Sequence, residues 1–171
     1  MIDGVTGDPG SCSQLGGALR SHAARLLALR QELVERADRL RRDGASAEVV
    51  AEIDASLSLL DTVAERLDAS GAALQRFAQE LAEIAESVRR LDEQVRTAGL
   101  ELDGLRVVEP WGVLTTELAQ RRGRAQPELQ RQADRLASRL GRARIATARV
   151  MAEGSAALSA AATASRSRSL R

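Results

Sequence analysis

Apolar residues recur at every third or fourth position from Val50 onward: Ile53, Leu57, Leu60, Ala64, Leu67, Gly71, Leu74, Ala78, Leu81, Ala85 and Val88. This 3-4 spacing predicts a single long amphipathic helix over residues 46–98, with one stripe held against partner helices. Leu91, Val95 and Ala98 continue the stripe one residue early, a three-residue insertion that overwinds the supercoil locally. At about 1.5 Å per residue such a helix is several tens of ångströms long, so the rest of the chain has to cover it.

A second run of the same spacing precedes it: Leu15, Leu19, His22, Leu26, Leu29, Leu33, Arg36 and Leu40. Asp8-Pro9 reads as the start of this helix, with Asp as N-cap and Pro at the first helical position. Gly44 reads as its left-handed cap. Only Ala45 and Ser46 then separate the helices 9–43 and 46–98, and so short a connection folds them back antiparallel. Ser46 serves as N-cap of the long helix, and Glu48 complements its dipole.

Gly99 ends the long helix, with Leu100 placed to fold back on Val95 in a Schellman cap. Asp103-Gly104 is a hairpin-turn signal. An isolated two-stranded ribbon is marginal in water, so residues 99–110 are expected to be an ordered linker and not a sheet. Pro110 is expected to reopen helix with Trp111 in its first turn. A third seam runs through Leu114, Leu118, Leu129, Ala133, Leu136, Leu140, Ala143, Thr147, Val150, Gly154 and Leu158. Gly123 and Pro127 interrupt it, predicting a kink or short break near 123–127, because Pro removes a ladder bond and strikes the carbonyl of Gly123.

The fold class expected is therefore all-α: an elongated antiparallel hairpin over 8–98, extended to a three-helix, up-down-up bundle. Residues 1–7 form a flexible N-terminus, 111–163 a third, basic helix, and 164–171 a Ser/Arg tail. With many Ala and Gly on its seams the core is thin, which favours pairing with a second copy or another helical protein.

Composition supports helices and starves strands. Ala, Leu, Arg and Glu dominate, there is no Lys, Asn or Tyr, and Trp111 and Phe77 are the only aromatic residues. Net charge is +1, but residues 1–120 carry −8 and residues 121–171 carry +9. A basic last third suggests nucleic-acid contact through Arg131, Arg135, Arg139 and Arg142. The preferred reading packs this helix beside the acidic ones with charges paired across the rims, since a basic patch without aromatics is weak evidence. The N-terminus has no basic region followed by an apolar core, so no cleaved leader is expected. The longest uncharged run near the end, 154–165, is too short to span a bilayer. The expected location is cytoplasmic, or outside the cell by a route that needs no leader.

Candidate chemistry is sparse. His22 is the only histidine and sits on the first seam; a rim position hydrogen-bonded to a carboxylate is preferred over a metal ligand, which would need further His or Cys nearby. Cys12 is the only cysteine, too far along the helix from His22 to be activated by it, and reads as a small buried thiol. Glu80, Glu83 and Glu86 lack the Glu-x-x-His partners of a di-metal bundle and read as solvated faces. No metal, cofactor, small-molecule substrate or catalytic residue is expected, and an enzyme is not. Trp111, in Pro110-Trp111-Gly112, reads either as a plug at the bundle end with its indole N–H bonded to a carbonyl or as an exposed binding anchor; the plug is preferred.

Gly7-Asp8-Pro9, the Leu-spaced Ala/Arg-rich helix from Leu15 to Leu40, the Gly44 turn and Ala72-Ala73-Leu74-Gln75-Arg76-Phe77-Ala78 together resemble the N-terminal regions of actinobacterial WXG-type proteins. The likeness covers residues 7–98 and is one of composition and spacing. It implies a helical hairpin associated with type VII secretion, either as a substrate or as a partner or chaperone of a secreted toxin, acting through protein–protein contacts. Gly44 carries over from the family's Trp-x-Gly turn, with Arg42 where Trp belongs and Trp111-Gly112 as a displaced analogue. The family's Tyr-based tail has no counterpart. Gly44, Phe77, Trp111 and Gly112 are accordingly the interaction candidates. A nucleic-acid-binding helical protein and an intracellular coiled-coil scaffold remain the alternatives.

Overall fold

The structure, a computed structural model, describes residues 7–112 and 115–169. Among these it is an all-α bundle of three helices, α1 (Pro9–Arg42), α2 (Ala47–Thr97) and α3 (Thr116–Ser169). A small antiparallel hairpin, β1 (Glu101–Asp103) and β2 (Arg106–Val108), lies between α2 and α3. The described residues form two compact units, one of 7–12 with 76–146 and one of 13–75 with 147–169.

The helix ends form as the local chemistry dictates. Asp8 accepts hydrogen bonds from the Gly10 and Ser11 amides (3.1 and 2.9 Å) and from the Ser11 hydroxyl, taking up orphan donors of α1's first turn. The Ser11 hydroxyl bond and then the two amides hold its carboxyl below the ordinary value of 3.8. Ser46 caps α2 through the Val49 amide (3.4 Å). At the far end of α2 the Gly99 amide bonds the Arg96 carbonyl and the Leu100 amide reaches back to Val95, both at 2.9 Å. This is the Schellman pattern, and it needs the positive φ (77°) that glycine adopts without a Cβ penalty. Gly44 closes α1 in the same way, its neighbour Ala45 donating to Leu40 (3.0 Å).

In the unit built on 76–146, α2 presents Leu81, Ile84, Val88, Leu91 and Val95, all buried, to Leu129, Ala133 and Leu140 of α3. Each large aliphatic side chain taken from water here is worth roughly 1.5–3 kcal/mol. Cys12 and Phe77 are half-buried and pack against the Leu81–Ile84–Val88–Leu140 cluster. The hairpin joins this core through Leu100 and Val107.

That hairpin corrects the expectation of a linker without a sheet. Glu101 pairs with Val108, Leu102 with Val107 and Asp103 with Arg106, so the two-residue turn is Gly104-Leu105, one position later than the Asp-Gly signal suggests. A lone ribbon would be marginal, but α3 supplies what a third strand would. The Gln130 side chain accepts from the Val107 amide (2.8 Å) and donates to the Leu105 carbonyl, while Gln126 donates to the Val107 carbonyl. Two amide side chains one helical turn apart thus occupy the free edge of β2.

In the unit built on 13–75, α1 and α2 run antiparallel across a ladder of ion pairs: Arg20–Asp68 (3.0 Å), Arg30–Asp61 and Arg41–Asp54. The buried residues between them are mostly small, Gly16, Ala23 and Ala37 from α1 with Ala64 and Gly71 from α2, and Leu57 is the larger exception. From α3, Gly154 is buried and lies closest to Ser70.

Two further expectations are corrected. α3 begins at Thr116, not at 111, because the Thr115 hydroxyl caps it through the Leu118 amide (3.4 Å) and Trp111-Gly112 lie in a bend before it. The helix also continues through Gly123 and Pro127, so of the expected kink or short break there is no break, and it extends to Ser169, past the expected end at 163. Packing on both sides of the proline, through Arg122, Leu129 and Ala133, outweighs the one lost ladder bond. The expected N-terminal segment before residue 7, and Leu114, lie outside the described residues.

Candidate functional site

The stripe assigned to α1 from its leucines is not the face that packs on α2. The buried positions Gly16, Ala23 and Ala37 lie to one side of it with Arg30 half-buried among them, and of the stripe itself only Leu19 and Leu26 are half-buried. Leu15 (53% exposed), Leu29 (51%), Leu40 (43%) and Leu33 (37%) remain open to solvent. The physical reason is spacing between the helices. Glycine and alanine let the α1 and α2 backbones approach closely, and the Arg20, Arg30 and Arg41 pairs hold that face inward, so the leucines are turned to the flank. The signal was present in the sequence, because these three arginines meet Asp68, Asp61 and Asp54 in the order an antiparallel pair requires.

His22, expected half-buried at a rim with a carboxylate, is exposed and sits among these open leucines. No hydrogen bond holds it among the described residues. Arg36 shares the same face and is also exposed. On the outer border of the stripe Arg25 and Glu32, seven residues apart, are exposed and make no ion pair among the described residues.

Trp111 is fully exposed (103%), which removes the plug reading; a Cβ on Gly112 beside it would meet nothing within 4 Å. Gly44 caps α1 and is exposed, and Phe77 is half-buried against the Leu81–Ile84–Val88–Leu140 cluster. Trp111 and Gly112 lie side by side in the bend before α3.

The basic face of α3 is divided. Arg139 leaves it to meet two carboxylates of α2, donating through Nε to Glu80 (2.7 Å) and through its terminal nitrogen to Glu83. The hydrogen bonds to Glu80 and then Glu83 make its guanidinium hold its proton more tightly than usual. Glu80 and Glu83 are therefore ion-pair partners of α3, whereas Glu86 pairs within its own helix with Arg89 and Arg90. Arg131 and Arg135 both turn to Glu128 (2.6 and 3.3 Å). A hydrogen bond from Gln132, then the charge of Arg131, holds the Glu128 carboxyl below its ordinary range. Arg142 remains exposed. Arg122, whose burial the sequence did not signal, is buried against Gly99 at the carbonyl end of α2, where the helix dipole favours a cation.

Among the described residues no cluster of three or more His, Cys, Asp or Glu side chains is placed to hold a metal ion, and no helix is long and apolar enough to cross a membrane. No family model, curated protein or solved structure matches this chain.

Proposed function

We propose that this chain is a non-enzymatic helical interaction protein that works by helix–helix pairing through the outer face of α1. The observation that carries the reading is the set of open leucines along one flank of α1, Leu15 near its start and Leu29, Leu33 and Leu40 in its second half. Exposed leucines gathered on one flank of a helix mark a contact surface. The resemblance to WXG-type hairpins supports a place in type VII secretion, as a substrate or as the partner or chaperone of a secreted toxin. Cytoplasmic residence, or export without a cleaved leader, fits that place. The division of the arginines on α3 between Glu80, Glu83 and Glu128 lowers the positive potential a nucleic-acid backbone would meet, and so favours the protein-contact reading over the nucleic-acid one.

The test is affinity capture from expressing cells with the wild-type chain and with Leu29→Asp/Leu33→Asp. Both positions are open enough to accept a charge without unfolding α1. A helical partner, or the chain itself, retained by the wild type and lost from the variant is the expected result. Equal retention by both overturns the assignment to this face.

A further inference from the structure

We propose that the outer face of α1 pairs with the same face of a second copy of this chain, the two helices running antiparallel. The inference rests on the reading above and names the partner for that surface.

Heptad positions a and d of α1 are Leu19, Leu26, Leu33 and Leu40, and Leu15, His22, Leu29 and Arg36. In a parallel, in-register pair each d residue would face its own copy. Arg36 would then oppose Arg36 and His22 would oppose His22, and the flanking Arg25 would meet Arg30 of the other chain. Like charges at that distance repel.

An antiparallel pair inverts this. Leu15 faces Leu40 of the second copy and Leu26 faces Leu29, each twice by symmetry. His22 lies against Leu33 and Arg36 against Leu19, so no two cations meet in the seam. The border residues also match. In this register Arg25 lies beside Glu32 of the second copy, and Glu32 beside its Arg25, giving two opposite-charge pairs at one border. Both residues are exposed and make no ion pair within the chain among the described residues. The opposite border of α1 is already occupied by Gly16, Ala23 and Ala37 against α2. The exposed Leu15, Leu29, Leu33 and Leu40, the open edges of the half-buried Leu19 and Leu26, and the unpaired charges thus fit a twofold-symmetric contact, the closed arrangement most homo-oligomers adopt.

The decisive experiment is sedimentation equilibrium on the full chain and three variants: Arg25→Glu, Glu32→Arg, and the two together. Helix content by circular dichroism controls for folding. The wild type is expected to be a dimer. Each single reversal replaces two attractive contacts by two repulsive ones and weakens the dimer about tenfold or more, and the double reversal restores it to within a few-fold. A monomer at about 100 µM, where even a weak specific pair would form, overturns self-pairing. So does a dimer indifferent to the single reversals. Neither of these results bears on whether the α1 face binds another helical protein, which the capture experiment decides separately.

Discussion

Gly16 of α1 and Gly71 of α2 face each other backbone to backbone: a Cβ on Gly16 would stand 2.7 Å from the Gly71 carbonyl oxygen, and one on Gly71 2.6 Å from that of Gly16. Neither backbone oxygen can swing aside as a side chain would. This contact sets how near the two helices lie, and with it which face of α1 is buried.

Gly71→Ala is therefore expected to destabilise the protein. Alanine gains about 1 kcal/mol of helix propensity over glycine, but forcing a methyl into a closed contact costs about 1–3 kcal/mol. Gly141→Ala is the control, since its Cβ would meet nothing within 4 Å. It should stabilise by up to about 1 kcal/mol. Urea unfolding of the two variants checks the opposite signs.

Gln130→Leu is expected to release the hairpin edge while leaving the helices intact. The Val107 amide is buried and has Gln130 as its acceptor, so removing that oxygen strands a donor at a cost of about 1–3 kcal/mol. Amide hydrogen exchange at Val107 should accelerate in the variant, with protection in α2 unchanged.

Arg139→Gln removes a guanidinium shared by Glu80 and Glu83. The side chain is about a third exposed, so solvent screens the pairs, and the loss should be near the upper end for surface ion pairs, about 1 kcal/mol. The difference from wild type should shrink in 1 M salt, where the screening length is about 3 Å. Thermal melts at low and high salt measure it.

Asp8 gives a pH dependence of defined sign. Its native carboxyl lies below the ordinary value of 3.8, so the charged cap stabilises α1's first turn at higher pH. That contribution is fully present above 3.8 and is lost as pH falls through the lower native value. Asp8→Asn should flatten this acid limb. NMR titration of the Gly10 and Ser11 amides follows it directly.

Trp111→Ala should leave stability within about 0.5 kcal/mol of wild type, as expected for a residue without buried contacts. Its emission should be that of a hydrated indole and should not change when the helices unfold. A large shift on unfolding would place the ring inside the fold.

Much of the architecture was legible from the chain alone. Period, caps and glycine stops suffice for three helices, because each is a local preference: Asp8, Ser46 and Gly99 act on atoms within a few residues of themselves. The α2 seam was readable for the same reason, its large aliphatics at Leu81, Val88 and Val95 having one way to leave water. What the sequence could not decide alone was whatever depends on distance between helices. On α1, leucine spacing pointed to one face, but the Gly16–Gly71 approach and the arginine ladder buried its neighbour and left Leu15, Leu29, Leu33 and Leu40 outside. The hairpin formed because Gln126 and Gln130, more than fifteen residues away, complete its edge, and Trp111 stayed exposed because α3 starts later, at the Thr115 cap. Local chemistry thus determined the elements, while close approach between backbones decided which surface remained free to act.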